Sequence, residues 1–163
     1  MAKFLCDIAR GRKVVVCDHD TQTLDIFCRH LTKLGIFTDD LICVETLSET
    51  IAVAKRVKPD IIFIDLNCPG DGDNLLSLVR LANDELITPV VFMAFPENGI
   101  GPLRSLAVRG RGFMSKPVQL LPLKNKLEKL FREVDLERMI VFSDMKVELH
   151  PNCKGGISCQ VMA

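Results

Sequence analysis

Tryptophan and tyrosine are missing from this chain of 163 residues, and so is any excess of charge: 21 Lys and Arg stand against 21 Asp and Glu. A neutral balance gives neither nucleic acid nor an acidic membrane surface a claim as the default partner. No apolar run approaches the ~20 residues of a membrane-spanning helix. The opening Met1-Ala2-Lys3-Phe4-Leu5-Cys6-Asp7 lacks the apolar core of a secretion signal, so the expected location is the cytoplasm. CxxC spacing is absent as well. The seven cysteines (6, 17, 28, 43, 68, 153 and 159) are odd in number, and several fall inside apolar runs. That pattern predicts reduced, buried thiols rather than a disulfide framework or a zinc site, with a hairpin pairing of Cys153 and Cys159 as a minor alternative. No glycine-rich or hydroxyl-rich phosphate loop follows the first apolar run, which argues against a binder that cradles its ligand on such a loop.

What the chain does have is a series of short apolar runs that end in charge. Ile61-Ile62-Phe63-Ile64 closes on Asp65 and is followed by Leu66-Asn67-Cys68-Pro69-Gly70. Val14-Val15-Val16-Cys17 leads into Asp18-His19-Asp20, Pro89 to Ala94 forms another run, and Gly112-Phe113-Met114-Ser115 leads into Lys116-Pro117. With Leu41-Ile42-Cys43-Val44 these read as five buried strands.

Between the runs lie amphipathic stretches. One carries Leu24, Phe27, Leu31 and Leu34 behind a Thr21 cap. A second opens at Ser48 with Glu49 and ends at Lys58-Pro59. A third carries Leu75, Leu76, Leu78, Val79 and Leu81. A weaker one spans Leu103 to Val108, and the last starts near Leu121-Pro122 with Leu123, Leu127, Leu130, Phe131 and Val134 on one face. Strand–helix alternation from 12 to 138 predicts a flavodoxin-like (βα)5 domain, a doubly wound parallel sheet of order 2-1-3-4-5. Residues 139–163 have partial two-residue alternation over Ile140 to Leu149 and turn signals after it. They read as a hairpin-like extension or the first strands of an output domain.

In open α/β sheets, chemistry sits beyond the carboxyl ends of the strands, so Asp18, Asp20, Asp65 and Lys116 are expected at one edge. Clustered carboxylates call for a hard, oxygen-seeking cation such as Mg²⁺. A carboxylate there is also a nucleophile able to accept a phosphoryl group, with a nearby ammonium to neutralise the oxyanion. His19 reads as a partly exposed loop histidine rather than a metal ligand.

In order and spacing, Asp18, the Asp65-Leu66-Asn67-Cys68-Pro69 motif and Lys116-Pro117 resemble the receiver domain of two-component response regulators. The resemblance covers roughly residues 12–138. It implies that Asp65 is the phosphoacceptor, that Lys116 pairs with the phosphoryl oxygens, and that Mg²⁺ is held by Asp18, Asp65 and the backbone carbonyl of Asn67. Phe113 would be the aromatic switch residue and Ala94 would stand at the hydroxyl switch position. It implies a signalling module rather than an enzyme, partnered by a histidine kinase or phosphotransfer protein, with a homodimer as one expected contact. Nucleic acid would be met only through an output domain, and no membrane is expected. The basic residues Arg104, Arg109 and Arg111 fall where the family often carries its partner surface.

Three departures stand out. His19 occupies the second acidic position, with Asp20 next door as a substitute ligand. Ala94 replaces a hydroxyl, and Asp71-Gly72-Asp73-Asn74 replaces the usual Asp-Gly. They open an alternative: a pseudo-receiver that binds partners without phosphoryl chemistry.

Overall fold

The computed structural model describes residues 9–70, 72–96 and 111–145. Five strands form one sheet: β1 (Val14–Cys17), β2 (Leu41–Val44), β3 (Ile61–Asp65), β4 (Val90–Ala94) and β5 (Gly112–Ser115). Their order is β2-β1-β3-β4-β5, and every pairing is parallel. This is the expected order. Val14 pairs with both Leu41 and Ile61, so β1 lies at the centre of the first three strands.

Among the described residues four α-helices flank the sheet: α1 (Thr21–Lys33), α2 (Leu47–Val57), α3 (Gly72–Arg80), which a π-helical stretch over Leu81–Leu86 continues, and α4 (Leu120–Met145). The helix expected over Leu103 to Val108 lies outside the described residues, as do Arg104 and Arg109. Side chains alternate across a strand, and both faces of this sheet are covered. Val14, Val16, Ile61, Phe63, Val91 and Met93 pack against α1 and α4, burying Phe27, Leu31, Leu127 and Phe131 there. Val15, Cys17, Ile62, Ile64, Val90 and Phe92 pack on the other face against Leu47 and Ala54 of α2 and Leu78 and Val79 of α3. Two-sided burial is why the strand sequences are near-continuous apolar runs.

The helix ends correct three details. The cap of α1 is Asp20, not Thr21: its carboxylate accepts from Gln22 N at 3.1 Å and from the Thr23 hydroxyl at 2.6 Å. Helix α2 begins before Ser48, because the Thr46 hydroxyl accepts from Glu49 N at 3.3 Å. It ends at Lys58, whose φ of 51° turns the chain out of the helix just before Pro59.

The third correction is larger. Residues 140–145, expected to open a hairpin, continue α4. No Gly or Pro interrupts the chain between Leu123 and Met145, so a helix nucleated on the core propagates through a segment with only partial alternation. Its far half is also tied down by charge. Arg12 Nη2 donates to both Asp135 oxygens at 2.7 and 2.6 Å, Arg111 to Glu137 at 2.6 Å, and Arg138 to Asp60 at 2.7 Å. The remainder of the expected hairpin, residues 146–163, lies outside the described residues. Among the described residues, no helix is long and apolar enough to cross a membrane.

Phe63 is fully buried at the sheet centre, its ring edge-on to Phe27 at 4.9 Å between centroids. Phe63→Ala is expected to cost about 3–5 kcal/mol in urea unfolding. Leu136→Ala, at an exposed position on α4, should stay within about 0.5 kcal/mol.

Candidate functional site

Because all five strands run the same way, their last residues meet at one edge. Asp18 follows β1, Asp65 ends β3, Ala94 ends β4 and Lys116 follows β5. Backbone bonds extend the ladder past the strands and fix these positions. Asp18 N donates to Val44 O at 3.1 Å, Leu66 N to Met93 O at 2.9 Å, and Lys116 N to Ala94 O at 2.8 Å.

The three charged side chains are buried together. Asp18, Asp65 and Lys116 are each no more than 2% exposed. Lys116 Nζ donates to Asp18 Oδ2 at 2.6 Å and stands 3.5 Å from Asp65 Oδ1. The other Asp18 oxygen accepts from Asp20 N at 2.9 Å. Asp18 is therefore satisfied on both oxygens. Asp65 is not: both of its oxygens are buried and have no hydrogen-bond partner. Burial is the main reason its carboxyl pKa is raised; Lys116 pulls it down and Asp18 pushes it further up.

The loop after β3 curls over the site. Cys68 N donates to Asp65 O at 3.0 Å, closing a tight turn that leaves Asn67 exposed and Cys68 buried. Gly70 locks this loop onto α2. Its φ is +149°, and a Cβ there would stand 2.7 Å from Leu47 Cδ1. Only glycine fits both the backbone angle and the gap.

Asp18, Asp65 and Lys116 thus come together as the sequence predicts. Asp20 does not join them, since both of its oxygens are engaged at the start of α1. Those bonds, from Thr23 and Gln22, hold its carboxyl pKa below the usual range. Ala94 is buried and offers only a methyl group at this edge, while Phe113 is half-buried and packs on the α2 and α3 face. The structure adds three contacts to the site: one at His19, already placed beside it by the sequence, and two that the sequence reading did not recognise. His19 Nδ1 lies 3.4 Å from Asp65 Oδ2. The Phe95 ring lies 5.1 Å from Lys116 Nζ. Cys17 donates to Cys68 across 3.0 Å between sulfurs. One signal for the last pair was available: Cys17 shares strand parity with Val15, and a turn of Cys68 back toward Asp65 lands on that face.

A cation fits this site on the strength of the orphaned carboxylate. Asp65, Asp18 Oδ1 and the Asn67 carbonyl are the oxygens able to hold a hard ion, two carboxylates and one neutral group. The place of a third carboxylate is taken by the His19 imidazole.

A carboxyl with a raised folded pKa binds its proton more tightly in the native state than in the unfolded chain. Its ionisation therefore removes stability as pH climbs from the ordinary carboxyl range through the folded pKa. Asp65→Asn should accordingly be more stable than the wild type at pH 7, on the order of 1 kcal/mol for relieving an unpartnered buried charge. The gain should vanish as pH falls below the ordinary aspartate range. Thermal melts across pH read both effects; a variant less stable at pH 7 would mean that attraction to Lys116 outweighs burial.

No family model matches the chain, and no curated protein matches its sequence. Solved structures do match it. The signal receiver domain of a Luxo repressor protein from Vibrio parahaemolyticus superposes with a TM-score of 0.66 at 20% identity, over 79% of this chain and 96% of that one. The receiver domain of a signal transduction histidine kinase from Syntrophus aciditrophicus gives 0.64 at 20% identity, over 76% and 92%. The chemotaxis protein CheY4 of Vibrio cholerae gives 0.60 at 20% identity, over 73% and 98%. Five parallel strands in the order 2-1-3-4-5, with an acid–lysine cluster at their carboxyl edge, give this chain the fold of a response-regulator receiver domain.

Proposed function

We propose that this chain is a phosphoacceptor signalling module in which Asp65 takes a phosphoryl group from a histidine kinase or phosphotransfer protein. The observation that carries this reading is the Asp65 carboxylate itself, buried with both oxygens unpartnered and a lysine ammonium 3.5 Å away. A structural carboxylate at that depth would be hydrogen-bonded. One held ready for a ligand is not.

In the transfer, an Asp65 oxygen attacks phosphorus and the bond from phosphorus to the donor imidazole nitrogen breaks. The bonding pair leaves on that nitrogen. Lys116 meets the negative charge on the incoming phosphoryl oxygens. Asp18 holds the Lys116 ammonium in place through the 2.6 Å bond. Mg²⁺ at Asp18, Asp65 and the Asn67 carbonyl would supply charge neutralisation, and His19 in place of a third acid makes its binding weak. The module is modified once per signal rather than turning over a free substrate. A cytoplasmic setting suits it, since the four described cysteines are all free thiols.

Switching is expected to be muted. A ligand shifts a conformational equilibrium only by its differential interaction with the two states. Ala94 has no hydroxyl to bond the phosphoryl group, and a hydrogen bond to a charged group is worth about 1.5–3 kcal/mol.

Incubation with an acyl phosphate and Mg²⁺ should therefore give a slow, single phosphoryl adduct on the wild type by mass spectrometry and none on Asp65→Asn. Ala94→Thr should enlarge the NMR shift response near Phe113. No adduct on the wild type at any Mg²⁺ level, with an adduct on His19→Asp/Ala94→Thr, would leave a partner-binding module without phosphoryl chemistry. His19→Asp should separately tighten Mg²⁺ binding in a metal titration; an unchanged affinity would mean that water already fills the vacant ligand position.

A further inference from the structure

We infer that the carboxyl edge of the sheet also binds a borderline-to-soft divalent cation, Zn²⁺ in chemical class, through His19, Asp65 and Cys68. This ion would occupy the carboxylate that phosphoryl transfer needs. One donor atom from each of the three residues lies within 4.8 Å of the others. Within the group, His19 Nδ1 and Asp65 Oδ2 are 3.4 Å apart. Two ligands at ~2.0–2.1 Å from a tetrahedral ion stand about 3.3–3.4 Å apart, and a nitrogen or oxygen donor and a sulfur about 3.6 Å. The histidine–aspartate spacing is thus already that of two ligands on one zinc ion.

Three further observations support the assignment. Asp65 needs a partner, having two buried oxygens with none. The charges would balance: Lys116 is matched by Asp18 at 2.6 Å, so the Asp65 carboxylate, with Cys68 once the ion displaces its thiol proton, would neutralise one divalent cation. Access is built in, because Asp65 and Cys68 are buried while the His19 side chain is half-exposed. An ion entering past His19 would meet three protein ligands and keep its fourth position open to water, the arrangement of an accessible zinc site. Behind it, Cys17 donates its S–H to the Cys68 sulfur at 3.0 Å and orients that ligand from the core side.

The donor set also discriminates. Sulfur and imidazole are poor ligands for Mg²⁺, which demands oxygen, and good ones for zinc, cobalt or copper ions. The histidine that weakens the hard-cation site therefore becomes a ligand for a softer one. Metal occupancy does not depend on the phosphoacceptor reading; only its inhibitory consequence rests on that reading.

The test uses the full chain with its thiols kept reduced and Co²⁺ as the spectroscopic probe. Titration should give one equivalent of a thiolate-to-cobalt charge-transfer band, abolished by one equivalent of Zn²⁺ and unmoved by a large excess of Mg²⁺. The band should disappear in Cys68→Ala, and His19→Ala should weaken binding at least about tenfold. It should persist in Cys28→Ser/Cys43→Ser, which removes the other close pair of thiols, 2.8 Å apart. A band that survives Cys68→Ala, an affinity unchanged in His19→Ala, or no band in the folded wild type overturns the assignment. The half-exposed His19 position keeps the test valid if Cys68→Ala fails to fold. In a second arm, Zn²⁺ should block acyl-phosphate labelling of the wild type but not of His19→Ala. Absence of labelling under every condition would count against the phosphoacceptor reading alone, while the cobalt spectrum still decides the metal site.

Discussion

Parallel pairing of strands buried on both faces is the constraint from which the rest follows. The five strands are short, four or five residues each, and almost every side chain in the central three is sealed under helices. A strand in that position has no polar face, so its charge must wait until it ends. Parallel direction then brings those ends to one edge. Asp18, Asp65 and Lys116 are more than forty residues apart in sequence, yet share a pocket because β1, β3 and β5 stop at the same level.

Within that pocket the charges are unequal. The Asp18–Lys116 pair is complete, with every Asp18 oxygen engaged. A pair of this kind is weak evidence of net stabilisation, since both ions were taken out of water. Its effect is to hold an ammonium at fixed height beside Asp65 while leaving Asp65 unbonded. A lone carboxylate in that setting is a standing demand for positive charge. A phosphoryl group with a cation, as proposed, or the proposed metal ion alone would answer it, and the two would compete for the same oxygens.

Much of this was legible in the residues before any coordinates. The strands were readable because Val14 to Cys17 and Ile61 to Ile64 are apolar without a break, as two-sided burial demands. Asp65 and Lys116 were readable because each abuts such a run. Helix ends were less so: Asp20 and Thr46 both outcompete the hydroxyl residue nearest the apolar pattern, a choice of one or two positions decided by local hydrogen bonds. Ile140 to Met145 was misread because a segment of mixed pattern takes the structure of what precedes it. Arg138 anchored at Asp60 shows how firmly the preceding helix is held. The return of Cys68 to the side of His19 and Asp65 was not read because it is set by a turn, not by spacing. Nothing in Asp-Leu-Asn-Cys-Pro states that the fourth residue folds back beside the first, until Cys68 N is seen on Asp65 O.

Strand β3 has an acid at each pole. Asp60, just before it, accepts from Lys13 N at 2.9 Å and from Arg138 at 2.7 Å, with Arg12 a further 3.5 Å away. Asp65 closes it with both carboxylate oxygens lacking a hydrogen-bond partner. Five steps of about 3.3 Å each separate the two. Backbone pairing holds both ends of the strand, but only the acid at its base is also hydrogen-bonded through its side chain. Asp60 binds β3 to α4 and to the start of β1. One strand thus carries two acids of opposite commitment: Asp60 ties the sheet to α4, and Asp65 keeps its carboxylate oxygens outside any such tie.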